Sequence, residues 1–333
     1  MTAPEERTAP PLADRGADGT SAHKVVAFGG GHGLSASLAA LRRVTPNLTA
    51  VVTVGDDGGS SGVIRQELGV LPPGDLRMAL AALAGEDADS QLWASVCQHR
   101  FGGEATLAGH PVGNLLLVGL TDILDDPVAS LDAVGRLLGA VGRVLPLSTT
   151  PLDIVADVLG LEPGDRTALH EVRGQVAVAT TPGQVVGVRL DPPGVEACPQ
   201  AVEAVLDADW VVFGPGSWFT SVIPHVLVPG IVKALAESKA RCVVTLNMSA
   251  QTGETEGFSP TTHLEVLAAH APDLHVDVVL APRRSTADGM ASLEAGAASL
   301  GAQLVVAHLG ADQTVPTHDP QRLAAAYASI FRS

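Results

Sequence analysis

The chain has 333 residues, 46% of them hydrophobic but only 3% aromatic, with 36 glycines and 23 prolines. That is enough apolar material for one large α/β domain or two small ones, packed on Ala, Val and Leu between many turns. Thirty-six acidic against 20 basic side chains leave a formal charge of -16, which repels nucleic-acid backbones and anionic membrane leaflets and excludes both as partners. A small anionic ligand stays compatible, because helix N-termini act locally and distant charge is screened beyond about 10 Å.

Residues 1–22 are rich in Pro, Ala and charge and lack the apolar stretch of a signal peptide. They are expected to be a disordered tail, leaving residues 23–333 as the folded domain. The first predicted strand is Lys24–Phe28, a Val-rich run of the kind buried in parallel sheets, followed by GGGHG and a helix carrying Leu34, Leu38 and Leu41. A second strand, Leu48–Val54, ends at GDDGGSSG, and the PPGD corner then opens a helix over Leu76–Leu83 with Asp75 as its N-cap. Ser90–Arg100, Gly113–Leu124 and Val128–Leu138 carry helical apolar spacing. From 144 to 190, alternating pieces between Pro/Gly turns predict an antiparallel β insert or edge. Strands return at Asp209–Phe213, Arg241–Leu246, Val276–Leu280 and Gln303–Ala307, and Pro320–Phe331 is a last helix. Connection rules then predict an α/β fold with one doubly wound, mostly parallel sheet. The three cysteines, Cys97, Cys198 and Cys242, form no CxxC pair, which argues against disulfides and thiolate metal sites and for a cytoplasmic location. No run of about 18 apolar residues suggests a membrane span.

Ligands of such a sheet lie outside the carboxyl ends of its strands. Gly29, Gly30, Gly31, His32, Gly33 and Leu34 follow the first strand, and Gly31–Ala36 fits GxGxx(G/A), a backbone cradle for phosphate; a plain strand-to-helix turn explains the same residues. Asp56 lies 25 positions after Gly31, near the spacing of roughly 20 at which an acid meets a ribose hydroxyl. With Asp57 it also suits Mg²⁺ beside a phosphate, and a solvated acidic turn is the third option. Capping alone accounts for Asp75, whereas Arg77 in a first helical turn opposes the helix dipole and favours a nearby anion. Gly214, Gly216, Ser217 and Thr220 either clamp a second part of the ligand or surround a buried Trp. The stretch from Asn247 to Phe258 crowds amides and hydroxyls that orient a sugar or base. No HExxH, GxSxG or full GxxxxGK(S/T) motif is present, and no residue is assigned as catalytic.

Taken in order, VVAFGGGHGLSASLAALR, VTVGDDGGSSGVIRQELGVLPPGDLR, GPGSWFTSVIPHVLVPGI and LNMSAQTGETEGF resemble the YvcK family, the gluconeogenesis factors of the CofD-like superfamily. The resemblance runs from about Lys24 to Phe331. It implies a Rossmann-like three-layer domain that binds a nucleotide sugar of the UDP-N-acetylglucosamine type, with a cytoplasmic regulatory role in cell shape, wall synthesis and growth on gluconeogenic carbon sources. No cofactor is required in that reading. The alternative is a CofD-like transferase moving a phospholactyl-type group from a nucleotide-activated donor, with Asp56 and Asp57 holding Mg²⁺. A nicotinamide dinucleotide enzyme is a third reading, lacking any assignable proton-transfer pair. Carried over by position, the candidates are the glycine loop through Leu34, Asp56, Asp57, Asp75, Arg77, Gly214, Gly216, Ser217, Thr220 and Asn247. Two departures stand out: Phe258 replaces a family Tyr, and Thr317-His318-Asp319 replaces Arg-His-(Asp/Asn). An Arg paired with a diphosphate is worth about 1.5–3 kcal/mol, and Arg283 or Arg284 is the candidate substitute. The family's kinase targeting near the C-terminus points to Thr314 or Thr317 as phosphorylation sites. Sheet edges and the 144–190 insert are the candidate surfaces for a homo-oligomer.

Overall fold

The Val-rich runs do become the strands of a parallel sheet. The computed structural model describes residues 22–251, 253–283, 289–310 and 317–333. β1 (Val25–Gly29) leads into α1 (Gly31–Leu41) and β2 (Leu48–Val52), after which the helices α2 (Gly59–Leu68), α3 (Pro73–Leu83), α4 (Ala88–Gln98), α5 (Val112–Leu124) and α6 (Pro127–Leu137) precede β3 (Arg143–Pro146). A second unit follows: β4 (Asp153–Leu159), β5 (Leu169–Arg173), the short α7 (Gln175–Ala179) and β6 (Gln184–Asp191). The main sheet resumes through α8 (Pro199–Leu206), β7 (Trp210–Phe213), α9 (Pro229–Glu237), β8 (Arg241–Thr245), α10 (Pro260–His270), β9 (Val278–Pro282), α11 (Met290–Ser299), β10 (Gln303–Ala307) and α12 (Pro320–Ile330).

Among the described residues the main sheet has seven strands in the order β10-β9-β8-β7-β1-β2-β3, all parallel, and the small sheet has the antiparallel order β5-β4-β6. Every residue of β1, β7 and β9 is buried, the signature of strands covered on both faces. Phe28 of β1 and Phe213 of β7 stack at 4.7 Å between ring centroids, with His225 tilted against Phe28 at 5.1 Å. Among the described residues no single helix is long and apolar enough to cross a membrane.

Three local expectations change. Arg143–Pro146 pairs with β2 in the main sheet, so the antiparallel unit runs from Asp153 to Asp191; Val144–Pro146 is a continuous buried run, which belongs to a parallel strand. Helix α3 begins at Pro73 with Pro72 as its N-cap residue, because proline is preorganised for the first helical turn. Asp75 is therefore inside the first turn and is not the N-cap. In GDDGGSSG, the third glycine, Gly59, already starts α2, so half of that corner is helix.

The topology sets the one place where the sheet reverses its winding. The chain winds outward from β1 through β2 to β3, then returns beside β1 as β7 and winds the other way. The crevice between β1 and β7, at their carboxyl ends, is the switch point of the sheet.

Candidate functional site

Two glycine loops meet at that crevice. The loop after β1 enters α1, whose N-cap Gly30 carries no capping side chain and whose first turn holds no acidic residue. Leu34 N–H is bonded to Gly30 O at 3.3 Å, and Gly31 N–H to the Asp75 carboxyl. His32 and Gly33 follow an N-cap glycine with no capping side chain, and such a helix N-terminus attracts an anion. Gly31 has φ +56°, and a Cβ at Gly33 would overlap Pro215 O and the Gly216 Cα of the loop after β7. Glycine at both places lets the two loops touch. His32 is exposed beside them, while the Leu34 side chain is buried in the core, so Leu34 is a packing residue and not a ligand contact.

Beneath the cradle lies Asp75, 7% exposed. Its Oδ2 and Thr53 Oγ1 converge under Gly30, each 2.6 Å from where a Gly30 Cβ would sit, and among the described residues they have no hydrogen-bond partner beyond each other. Burial first, and the nearby Asp56 charge second, push the Asp75 carboxyl up to about 7; the Gly31 N–H and Arg77 act the other way. Asp56 accepts Gly58 N–H at 3.0 Å and reaches toward Gly74 and Ser61. Arg77 is 5% exposed, and its Nε donates to Asn114 Oδ1 at 2.9 Å. Burial, with the Arg100 charge adding to it, lowers the Arg77 pKa. Asn114 Nδ2 in turn donates to Ser60 Oγ at 3.0 Å, and Ser60 Oγ meets His110 Nδ1 at 2.9 Å. Part of Arg77 is thus spent on a protein network that the sequence motifs did not signal.

The loop after β7 is held from behind. Asn247 Oδ1 accepts Gly216 N–H at 2.9 Å and its Nδ2 donates to Gly216 O at 2.8 Å, so the amide is a backbone clamp and not a free ligand group. Ser217 Oγ is 3.3 Å from Gln251 Nε2. Thr220 is fully buried, and its N–H donates to Glu254 Oε1 at 2.8 Å, which removes it from the ligand surface. Glu254, whose carboxyl burial pushes up, is the residue of the GET segment that the motif reading passed over.

Beyond Asn247 a cavity of about 290 Å³ opens, lined by Leu246, Asn247, Met248, Ser249, Ala250, Phe258, Pro260 and His263. Phe258 stands edge-on to Phe219 and His263, at 6.0 and 5.5 Å, so it still offers a ring at the position it was expected to fill. A larger cavity of about 360 Å³, lined by residues such as Leu131 and Arg143, involves none of these loops. His318 packs against the Leu246 backbone with its pKa driven down to about 4 by burial, which sets Thr317 at the same end of β8. Arg283 follows β9 on that edge; Arg284 and Thr314 lie outside the described residues.

The Asp56 and Asp57 carboxylates meet different neighbours. Asp57 Oδ1 accepts Val176 N–H of α7 at 2.9 Å, so its carboxylate faces the antiparallel unit while Asp56 faces Gly74. The carboxylates able to share a cation are Asp56 and the half-satisfied Asp75, although among the described residues no group of three or more acidic, His or Cys side chains is arranged as a metal site.

Fold and cleft together define a doubly wound α/β protein with two glycine loops in contact at its switch point. The family model described as 2-phospho-L-lactate transferase CofD matches residues 25–307. A Mycobacterium tuberculosis protein named "Putative gluconeogenesis factor" is 55% identical over 90% of this chain and 88% of its own length. The "Gluconeogenesis factor" of Halalkalibacterium halodurans is 40% identical over 77% of this chain and 76% of that protein. A crystal structure of a UPF0052-family protein from Bacillus halodurans aligns with TM-score 0.81 and 33% identity, over 92% of this chain and 99% of that one. The chain belongs to the CofD-like family, within its gluconeogenesis-factor (YvcK, UPF0052) branch.

Proposed function

We propose that the protein is a nucleotide-sugar-binding regulator of the UDP-N-acetylglucosamine type, acting in the cytoplasm on cell shape, wall synthesis and growth on gluconeogenic carbon sources. The observation that carries this reading is the uncapped N-terminus of α1, pressed against Gly216 with no room for a side chain. The diphosphate lies on the Gly30–Gly33 turn, Asp56 meets the ribose, and the sugar or base enters the cavity beside Phe258. Phe258 supplies a stacking ring without a hydroxyl.

Gly31→Ala tests the cradle, with Gly69→Ala as control. Both glycines have positive φ, +56° and +68°, and neither Cβ would meet an atom closer than 3.8 Å, so each substitution costs about 1 kcal/mol of stability through backbone strain. Gly31→Ala is expected to weaken UDP-N-acetylglucosamine binding by about tenfold or more in calorimetry, with Gly69→Ala at wild-type affinity. Equal affinities in the two variants would remove the cradle from the site.

The transferase reading retains one specific support, the buried Asp75 carboxyl within reach of the Asp56 charge. When bound there, Mg²⁺ would neutralise phosphate charge. A thermal-shift series separates the two, since native-state ligands raise the melting temperature. UDP-sugars stabilising without Mg²⁺ fit the regulator; guanine nucleotides stabilising only with Mg²⁺ fit the transferase.

A further inference from the structure

The antiparallel unit does not stand apart from the cleft. Its short helix α7 lies between the two outer corners of the site. On one side Asp57 Oδ1 accepts Val176 N–H at 2.9 Å. A Cβ at Gly174 would overlap Asp57 Oδ2, and one at Gly58 would lie 2.9 Å from Val176 Cγ2. On the other side Gly253, with φ +87°, passes so close that its Cβ would meet Ala179 O. α7 also packs on the turn Trp218–Val222 that follows Ser217. Arg65 of α2 adds a second polar tie to the unit, 2.6 Å from Asp153. A five-residue helix has almost no stability of its own, so its order depends on these docking contacts.

We infer that α7 is a movable wall of the ligand cleft, latched by the Asp57 carboxylate, and that ligand occupancy reaches the antiparallel sheet through it. Asp57 is a positioning residue: it supplies the acceptor that the first turn of α7 lacks and touches neither ligand nor metal. The latch requires an oxygen at that place but no charge. This rests on the proposed binding site only for its ligand arm; the latch itself is a property of the free protein.

Hydrogen exchange of the Val176–Thr180 amides, in the intact chain, tests both arms. In the free protein Asp57→Ala is expected to speed exchange of the Val176 amide by about tenfold or more, and Asp57→Asn to leave it near wild type, since the amide oxygen still accepts. With UDP-N-acetylglucosamine as probe, wild type is expected to gain protection across α7. Asp57→Asn should bind within about twofold of wild type and Asp57→Ala about fivefold or more weaker. Unchanged Val176 exchange in Asp57→Ala overturns the latch whatever the ligand. Lost binding in Asp57→Asn with normal α7 exchange overturns the positioning role and returns the carboxylate to the ligand. Binding that leaves α7 exchange untouched overturns the wall. If the probe binds no variant at all, the binding-site reading falls, and the free-protein exchange still decides the latch.

Discussion

A carboxyl buried under Gly30 costs less to fold protonated than charged. Asp75 binds its proton at about 7 in the folded chain against an ordinary 3.8, so between those values the folded state holds more protons than the unfolded one. The Asp75 contribution therefore destabilises fully above pH 7, eases as the pH falls through 7, and vanishes near 3.8. Asp75→Asn removes it and places a donor beside Thr53 Oγ1. The variant is expected to melt above wild type at pH 8, by an amount on the order of a few kcal/mol, and to converge with it toward pH 4. Thermal melts of the two proteins across that range check this, and a constant difference would mean that Asp75 is not the titrating group.

At the scale of elements, the cleft is a contact between loops that other loops hold in place. Asn247, following β8, grips both backbone groups of Gly216, and truncating it leaves Gly216 N–H and C=O without those partners. Asn247→Ala is expected to cost about 1–3 kcal/mol and to weaken ligand binding together with stability, whereas His32→Ala on the exposed side should leave the melting temperature unchanged. Calorimetry and melting curves on both variants read this out. The same loops mark how far the sequence alone could be read. Strands β1, β2 and β7–β10 were legible because each carries a short Val-rich run, the pattern of a strand buried in a parallel sheet, and the corners after β1, β2 and β7 because glycines cluster there. What escaped was pairing across distance. Nothing near Asp57 signals that its carboxylate turns to Val176, 119 positions away, nor does GPGSWFT show that Thr220 belongs to Glu254. The start of α3 was signalled by Pro72-Pro73, and reading Asp75 as a cap overrode that proline signal.

At the scale of the whole molecule, the two windings of the sheet meet only at β1 and β7 in the hydrogen-bonded ladder, so something must tie the flanking layers across that line. The fully buried Tyr327 of α12 packs across it, with its hydroxyl 3.1 Å from Ser37 Oγ on α1 and 3.0 Å from Thr245 Oγ1 at the end of β8. Burial drives its pKa up to about 12, so it remains a neutral hydroxyl linking two others at every working pH. Tyr327→Phe strands both partners in the interior, an expected loss of about 1–3 kcal/mol, visible as a drop of several degrees in melting temperature. The cost arises from unsatisfied partners and not from the missing oxygen itself. Replacing the partners by apolar groups of similar size in the triple variant Tyr327→Phe, Ser37→Ala, Thr245→Val should therefore regain most of the loss. A triple variant no more stable than Tyr327→Phe would show instead that the hydroxyl bridge, and not the packing of α12, holds the two windings together.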